Sequence, residues 1–239
     1  MRLAVFGASG RMGCAVLRLA EESADIELVA CIDASSTATS MAGAEVVIDF
    51  SAPSAMPALA HAAASAGAAI VSGTTGLDAP ATKALDEAAT HVPVLWEPNM
   101  SVGVFVLGEL LREAIRVLGP GFDVEVVETH HRKKMDAPSG TALRLAEIAK
   151  AARDGASPFV TGREGKPGAR TREEIGVLAV RGGDVIGDHV VHLLGDGERI
   201  ELVHRATSRD LFASGALRAA RWLRGKSPGF YSLADVFRR

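Results

Sequence analysis

Over the N-terminal part of the chain the apolar positions fall into short unbroken runs rather than alternating with polar ones. Leu3 to Phe6, IELVACID (Ile26 to Asp33), AEVVIDFS (Ala44 to Ser51), AAIVSGTTG (Ala68 to Gly76) and VPVLWEPN (Val92 to Asn99) read as strands. Between them Met12 to Glu22, MPALAHAAASAG (Met56 to Gly67) and LDAPATKALDEAATH (Leu77 to His91) carry the Ala- and Leu-rich composition of helices. Strands that are apolar on both faces and alternate with helices predict a parallel sheet covered on both sides.

The pattern changes after EPNMSVGV. A helix from about Phe105 to Leu118 leads through GPG into a strand, FDVEVVET (Phe122 to Thr129), and the segment Glu174 to Ala206 reads as three more strands joined by Gly and Asp turns. The chain is therefore expected to hold an N-terminal α/β domain over residues 1–101 and an α+β domain with a mixed sheet over 102–211, with 212–239 packing back on the first. Ala151 to Glu174, rich in Gly, Pro and charge, is the segment expected to be mobile, and Leu211 to Phe237 reads as amphipathic helix.

Composition narrows the function classes. A length of 239 residues and a net charge of −3 leave no global attraction to nucleic acid or anionic membrane, so the cations Arg132, Lys133 and Lys134 point to a small anion. No apolar run approaches the roughly 18 residues of a membrane span, and MRLAVFGASG enters a strand directly, so a soluble cytoplasmic protein is expected. Cys14 and Cys31 lie in apolar stretches and are expected to be buried thiols. Met12, Met41, Met56, Met100 and Met135 show no helical stripe. The histidines at 61, 91, 189, 192 and 204 lack metal-ligand spacing, and no metal is expected.

GASGRMG places Gly7, Gly10 and Gly13 three apart at a strand-to-helix turn, with Asp33 at the end of the next strand. Such a turn lets backbone amides and the helix dipole meet a pyrophosphate, and the acid can accept hydrogen bonds from an adenosine ribose. Gly7, Ala8, Ser9, Gly10, Arg11, Met12 and Asp33 are the candidate dinucleotide contacts, in a doubly wound sheet of the Rossmann type. Asp33 repels the 2′-phosphate of NADPH while Arg11 partly offsets it, so NADH is slightly favoured. Gly73, Thr74, Thr75 and Glu97, Pro98, Asn99, Met100 lie at later strand ends on the same ligand-binding edge.

The second motif is ETHHRKKMDAPSGTAL, Glu128 to Leu143. His130 and His131 emerge from a strand, Pro138 interrupts any helix, and Ser139 or Thr141 is a candidate cap for the helix that follows. The Gly140 and Thr141 amides at that helix start suit a carboxylate. Lys134 supplies a cation or a proton, and a histidine suits general acid work near neutral pH.

These residues resemble the 4-hydroxy-tetrahydrodipicolinate reductase family, formerly dihydrodipicolinate reductase, of bacterial lysine and diaminopimelate synthesis. The resemblance covers almost the whole chain through GASGRMG, VIDFS, SGTTG, EPNMSVGV, HHRKKMDAPSGTA, RGGDVIGDH and HRATSRDLFASGALRAARWL, of which the histidine-to-SGT block is the most specific. It implies NADH or NADPH held by the first domain, a small cyclic dicarboxylate held by the second, and a homotetramer built through the second-domain sheet. It implies His130 as the general acid/base and Lys134 as the second proton donor, with His131, Gly140 and Thr141 binding substrate and Arg209 a weaker carboxylate contact. The resemblance also assigns the cofactor to Gly7 to Met12, Asp33, Gly73 to Thr75 and Glu97 to Met100. Two departures stand out: Glu97 replaces a small apolar residue before Pro98, and the link from Asp33 to Val46 is short. Another nicotinamide oxidoreductase, such as an amino-acid dehydrogenase, would explain the first domain without requiring the His130 to Thr141 block. A non-catalytic dinucleotide sensor would dispense with the proton donors.

Overall fold

The computed structural model describes residues 1–33, 41, 43–153 and 155–237, so the short segment after Asp33 lies outside the described residues. In chain order the elements are β1 (Arg2–Phe6), α1 (Arg11–Glu21), β2 (Glu27–Ile32), β3 (Val46–Asp49), α2 (Met56–Ala66), β4 (Ala69–Ser72), α3 (Ala79–Ala89), β5 (Pro93–Trp96) and α4 (Val102–Leu118). They continue with β6 (Asp123–His130), α5 (Gly140–Ala152), β7 (Phe159–Val160), β8 (Ile175–Arg181), β9 (Gly187–Gly195), β10 (Glu198–Ala206), α6 (Asp210–Leu223), β11 (Gly229–Tyr231) and α7 (Leu233–Phe237). Two compact units result: Met1–Val102 with Arg209–Arg239, and Gly103–Ser208.

The first unit is a parallel sheet in the order β11-β5-β4-β3-β1-β2. Its central strands are buried on both faces, which explains their continuous apolar runs. Ala4, Phe6, Val47, Ile70 and Val94 pack under Met56, Leu59 and Ala63 of α2 and Ala81 and Leu85 of α3. Successive residues of a strand point to opposite faces, so Leu3, Val5, Ile48 and Val71, all fully buried, turn to the other side, where α1 and α6 pack together. The order reverses direction at the β1/β3 pair, and the carboxyl ends of the strands share one edge, the usual position of a ligand crevice in such sheets.

The C-terminal stretch departs from a purely helical reading, because Gly229–Tyr231 joins the edge of the first sheet beside β5 as β11. A second departure concerns the thiols. Cys14 and Cys31 are both exposed: Cys31 lies on the outermost strand, and α1 turns Gly13, Val16 and Ala20 inward and Cys14 outward.

The second unit is a mixed sheet, β10-β9-β6-β8-β7, in which β6, β8 and β7 run parallel and β9 and β10 run antiparallel to their neighbours. Its core is one layer thick. Val124 and Val126 of β6, Ile175 and Val177 of β8, and Val191 and Leu193 of β9 meet Leu107, Leu111 and Ile115 of α4 and Ala142, Leu145, Ala146 and Ala149 of α5. The other face carries Glu125, and this carboxylate holds the long connection expected to be mobile. Arg163 donates to it at 3.1 and 2.8 Å and Arg170 at 2.9 Å, while Arg163 also reaches Glu174 at 2.6 Å. The mixture of Gly and charge that suggests a mobile segment instead supplies the two arginine anchors.

Leu145 is 1 % exposed at the centre of the second core. Its replacement by Ala is expected to cost about 2–4 kcal/mol through lost burial and a residual cavity, read as a lower urea midpoint with an unchanged slope.

Candidate active site

The glycine turn leaves β1 at Gly7, whose φ of +78° belongs to the left-handed region and whose added Cβ would lie 2.7 Å from the Phe50 carbonyl oxygen. At Gly13 a Cβ would stand 2.1 Å from the Gly7 carbonyl oxygen, so helix and turn can approach only without it. These two glycines are demanded by packing. Gly10 meets only the Gly7 oxygen, at 3.1 Å, and caps α1 with no side-chain hydrogen bond. The first-turn amides of the eleven-residue α1 are thus left uncapped at an exposed turn formed by Ser9, Gly10 and Arg11, an arrangement that suits phosphate oxygens.

Asp33 follows β2 beside this turn and accepts the Ser9 amide at 3.0 Å. Gly73 and Thr74 are buried and Thr75 is exposed at the end of β4, while Glu97, Pro98, Asn99 and Met100 follow β5. The Glu97 amide bonds the Ser72 carbonyl at 3.0 Å and the Asn99 side chain accepts the Ser101 amide at 2.9 Å. Met100 is 1 % exposed, a core residue by its side chain. All of these positions follow carboxyl ends of parallel strands.

Sequence reasoning left Asp49 without a role. Its fully buried carboxylate ends β3 and accepts the Ser51 amide at 3.0 Å and three hydroxyls: Ser51 at 2.6 Å, Ser72 at 2.7 Å and Thr74 at 2.7 Å. The Thr74 carbonyl in turn accepts the Trp96 indole N–H at 2.9 Å. Asp49 therefore sets the course of the Gly73–Thr75 segment.

In the second unit the site grows out of the core row. On β6 the inward positions run Val124, Val126, Glu128, His130; on β8 they end in Arg181; on β9 they begin near His189. Apolar residues give way to ionisable ones at one end of the same layer. Glu128 is 0 % exposed and receives four donors: His130 Nδ1 at 2.6 Å, the Ser139 amide at 3.0 Å, and Arg181 Nη1 and Nη2 at 2.7 Å each. Burial pushes the Glu128 carboxyl up, but Arg181, His130 and the Ser139 amide together outweigh it and hold the group below its usual range.

His130 is pushed below the ordinary histidine value by burial, against the Glu128 carboxylate that pulls it up, with Lys134 and Arg181 adding to the downward shift. Lys134 pairs with Asp136 at 2.9 Å, and Arg181 Nη2 also donates to the Asp136 carbonyl at 2.7 Å. The pairing with Lys134 holds the Asp136 carboxyl below its usual range. His131 is half-buried, its amide donating to the Val185 carbonyl at 2.7 Å, and its Nδ1 is buried with no hydrogen-bond partner. Ser139 is the cap of α5, accepting the Ala142 amide at 3.2 Å, so Gly140 and Thr141 occupy the first turn. Arg132 and Lys133 are exposed.

Arg181 and His189 are the two ends of the RGGDVIGDH stretch, but nothing local in the sequence ties that stretch to the His130 block roughly fifty residues earlier; β-sheet register unites them. The His189 ring stands edge-on to His130, with centroids 5.4 Å apart and an interplanar angle of 78°. Arg209, half-buried just before α6, belongs to the first unit.

Family models decide what these elements have in common. The model described as dihydrodipicolinate reductase, N-terminus, matches residues 1–100, and the one described as dihydrodipicolinate reductase, C-terminus, matches residues 103–237. The chain belongs to the dihydrodipicolinate reductase family. Among its relatives, the 4-hydroxy-tetrahydrodipicolinate reductase of Myxococcus xanthus (strain DK1622) is 47% identical over 263 residues, covering 99% of this chain and 97% of the relative. That of Nitratidesulfovibrio vulgaris (strain DP4) is 47% identical over 253 residues, covering 98% of each. The dipicolinate-bound dihydrodipicolinate reductase from Paenisporosarcina sp. TG-14 shares the fold, with a TM-score of 0.77 and 21% identity over 97% of each chain. A C. glutamicum DAP dehydrogenase in complex with DAP shares it more distantly, with a TM-score of 0.55 and 15% identity over 98% of this chain and 92% of that one. The fold alone is thus common to reductase and dehydrogenase, and the family of this chain rests on the two family models and the relatives in sequence.

His189 gives a pH signature. Burial, then the neighbouring His130, depress it from 6.5 to about 4. The unfolded chain takes up a proton that the folded chain refuses, so stability is full above pH 6.5 and falls as pH drops toward about 4. The expected loss is about 3 kcal/mol. The urea midpoint difference between neutral pH and pH 5 should be distinctly smaller in His189→Asn than in the parent chain.

Proposed function

We propose that the chain reduces 4-hydroxy-tetrahydrodipicolinate to tetrahydrodipicolinate with NADH or NADPH, a step of diaminopimelate and lysine synthesis, with NADH used somewhat ahead of NADPH. The observation that carries this reading is that family models and relatives 47% identical span both units of the chain. The uncapped start of α1 and the position of Asp33 beside the glycine turn fit a dinucleotide. When bound, the reduced nicotinamide supplies the hydride.

In this reading the first unit binds the cofactor. Gly7, Ala8, Ser9, Gly10, Arg11 and Met12 hold the pyrophosphate, Asp33 holds the adenosine ribose, and Gly73 to Thr75 with Glu97 to Met100 border the rest. The second unit binds the substrate, a small cyclic dicarboxylate. Its carboxylate meets the Gly140 and Thr141 amides at the start of α5, beside His131, in the positive potential of Arg132 and Lys133. The bound dipicolinate of the Paenisporosarcina enzyme supports a planar dicarboxylate of this size.

Three proton movements accompany the hydride. Departure of the 4-hydroxyl as water takes one proton to the oxygen and releases one from the neighbouring ring carbon, leaving a conjugated imine; hydride addition at C4 is then completed by return of a proton to that neighbouring carbon. His130 serves as the general acid/base and Lys134 as the second donor. Both are tied to one framework, His130 through Glu128 and Lys134 through Asp136. Exposed apolar residues on the second sheet, among them Val180, Ile200 and Val203, support assembly into a homotetramer.

Consumption of NADH and, separately, NADPH is followed with substrate made freshly from pyruvate and aspartate semialdehyde. Substrate-dependent decay is expected, faster with NADH; its absence in folded, NADH-binding protein would point to another dehydrogenase. His130→Ala and Lys134→Ala should each lower kcat by about 100-fold or more while leaving the NADH dissociation constant nearly unchanged. Equal loss of turnover and binding would remove the catalytic assignment.

A further inference from the structure

The proton-transfer reading names His130 and leaves open what decides which of its ring nitrogens carries the proton. We propose that Glu128 is the positioning residue for His130: it holds the ring in the tautomer protonated at Nδ1, leaving Nε2 to exchange the proton, while Arg181 clamps the carboxylate in place. This rests on the reading that His130 moves a proton.

The partners of the carboxylate decide which ring nitrogen donates. Glu128 Oε1 accepts the Ser139 amide at 3.0 Å and Arg181 Nη2 at 2.7 Å; Oε2 accepts Arg181 Nη1 at 2.7 Å and lies 2.6 Å from His130 Nδ1. A bidentate guanidinium and a backbone amide favour the anion, and an ionised carboxylate can only accept. Nδ1 must therefore be the donor. The neutral ring then has its lone pair at Nε2, and the protonated ring gains a donor there and nowhere else.

The surroundings hold that orientation. His189 stands edge-on to the ring on one side, and the backbone at Gly187 approaches Nε2 so closely that an added Cβ would lie 3.0 Å from it. Four ionisable groups face the ring from the packed elements: Glu128 on its own strand, Arg181 on β8, His189 on β9 and Lys134 in the loop before α5. Among them only Glu128 favours the protonated ring. Arg181 extends the device, since Nη2 also donates to the Asp136 carbonyl, and the Asp136 carboxylate pairs with Lys134. One guanidinium thus registers both groups assigned to proton transfer.

The deciding measurement is made on the unaltered chain labelled with 15N-histidine. The resonances of His130, assigned by their loss in His130→Gln, should show a protonated Nδ1 and an unprotonated Nε2 above its pKa. The reverse pattern overturns the proposal, and this readout does not depend on any Glu128 variant folding. In Glu128→Gln, kcat should fall at least about tenfold with NADH binding unchanged. The limb of the pH profile that His130→Gln abolishes should move to lower pH, because the anion that favours the protonated ring is gone. Glu128→Asp should recover part of the rate. If His130→Gln is inactive while Glu128→Gln keeps the parental kcat and pH limb, the positioning role fails and the reading of His130 survives. If His130→Gln itself turns over at the parental rate, that reading fails and the proposal with it.

Discussion

A carboxylate with no exposure to water sits where the second core layer ends, and the site depends on how that charge is compensated. Moving an ion into a protein interior carries a penalty of several kcal/mol unless charge and hydrogen bonds replace the lost water. Glu128 receives both, and each donor comes from a different part of the unit: β6 through His130, β8 through Arg181, and the start of α5 through the Ser139 amide. The compensation is therefore also a set of positional constraints. Strand register, helix start and histidine orientation are tied together because the carboxylate tolerates no missing partner.

The first unit solves a similar problem without a cation. Asp49, equally buried, is satisfied by three hydroxyls and an amide drawn from the ends of β3 and β4. Hydroxyl donors are short and local, so they fix the turns beside them rather than linking distant elements. The guanidinium at Glu128 reaches farther and joins residues 53 positions apart in the chain. The two carboxylates organise the carboxyl ends of their respective sheets by different chemistry.

The fold was legible wherever one local rule decided it. Continuous apolar runs mark the parallel strands because burial on both faces leaves no polar position, and Ser139 is a sound cap signal because its side chain reaches an amide three residues on. Gly229–Tyr231 was harder: three residues of edge strand between two helices carry too little periodicity to outweigh the helical composition around them. Cys14 and Cys31 sit among apolar neighbours, yet exposure follows from helix phase and from the position of β2 in the sheet, which only topology supplies. In the site, His130 and Lys134 stood out as a local cluster. Glu128 opens the same stretch on β6, yet nothing local marks it as a buried anion, and Arg181 and His189 join it only through register between strands.

Glu125, on the opposite face of β6, can sit where it does only because residue 176 is glycine; a Cβ there would come within 1.7 Å of its carboxylate oxygen. Arg163 and Arg170 both close on that carboxylate, so the chain between them is a small loop fastened at its two ends. Closure entropy grows only as the logarithm of loop length, with each doubling adding about 0.6 kcal/mol. Residues 164–169 are therefore a place where the chain can lengthen, or accept a grafted peptide, without disturbing the buried face that carries His130.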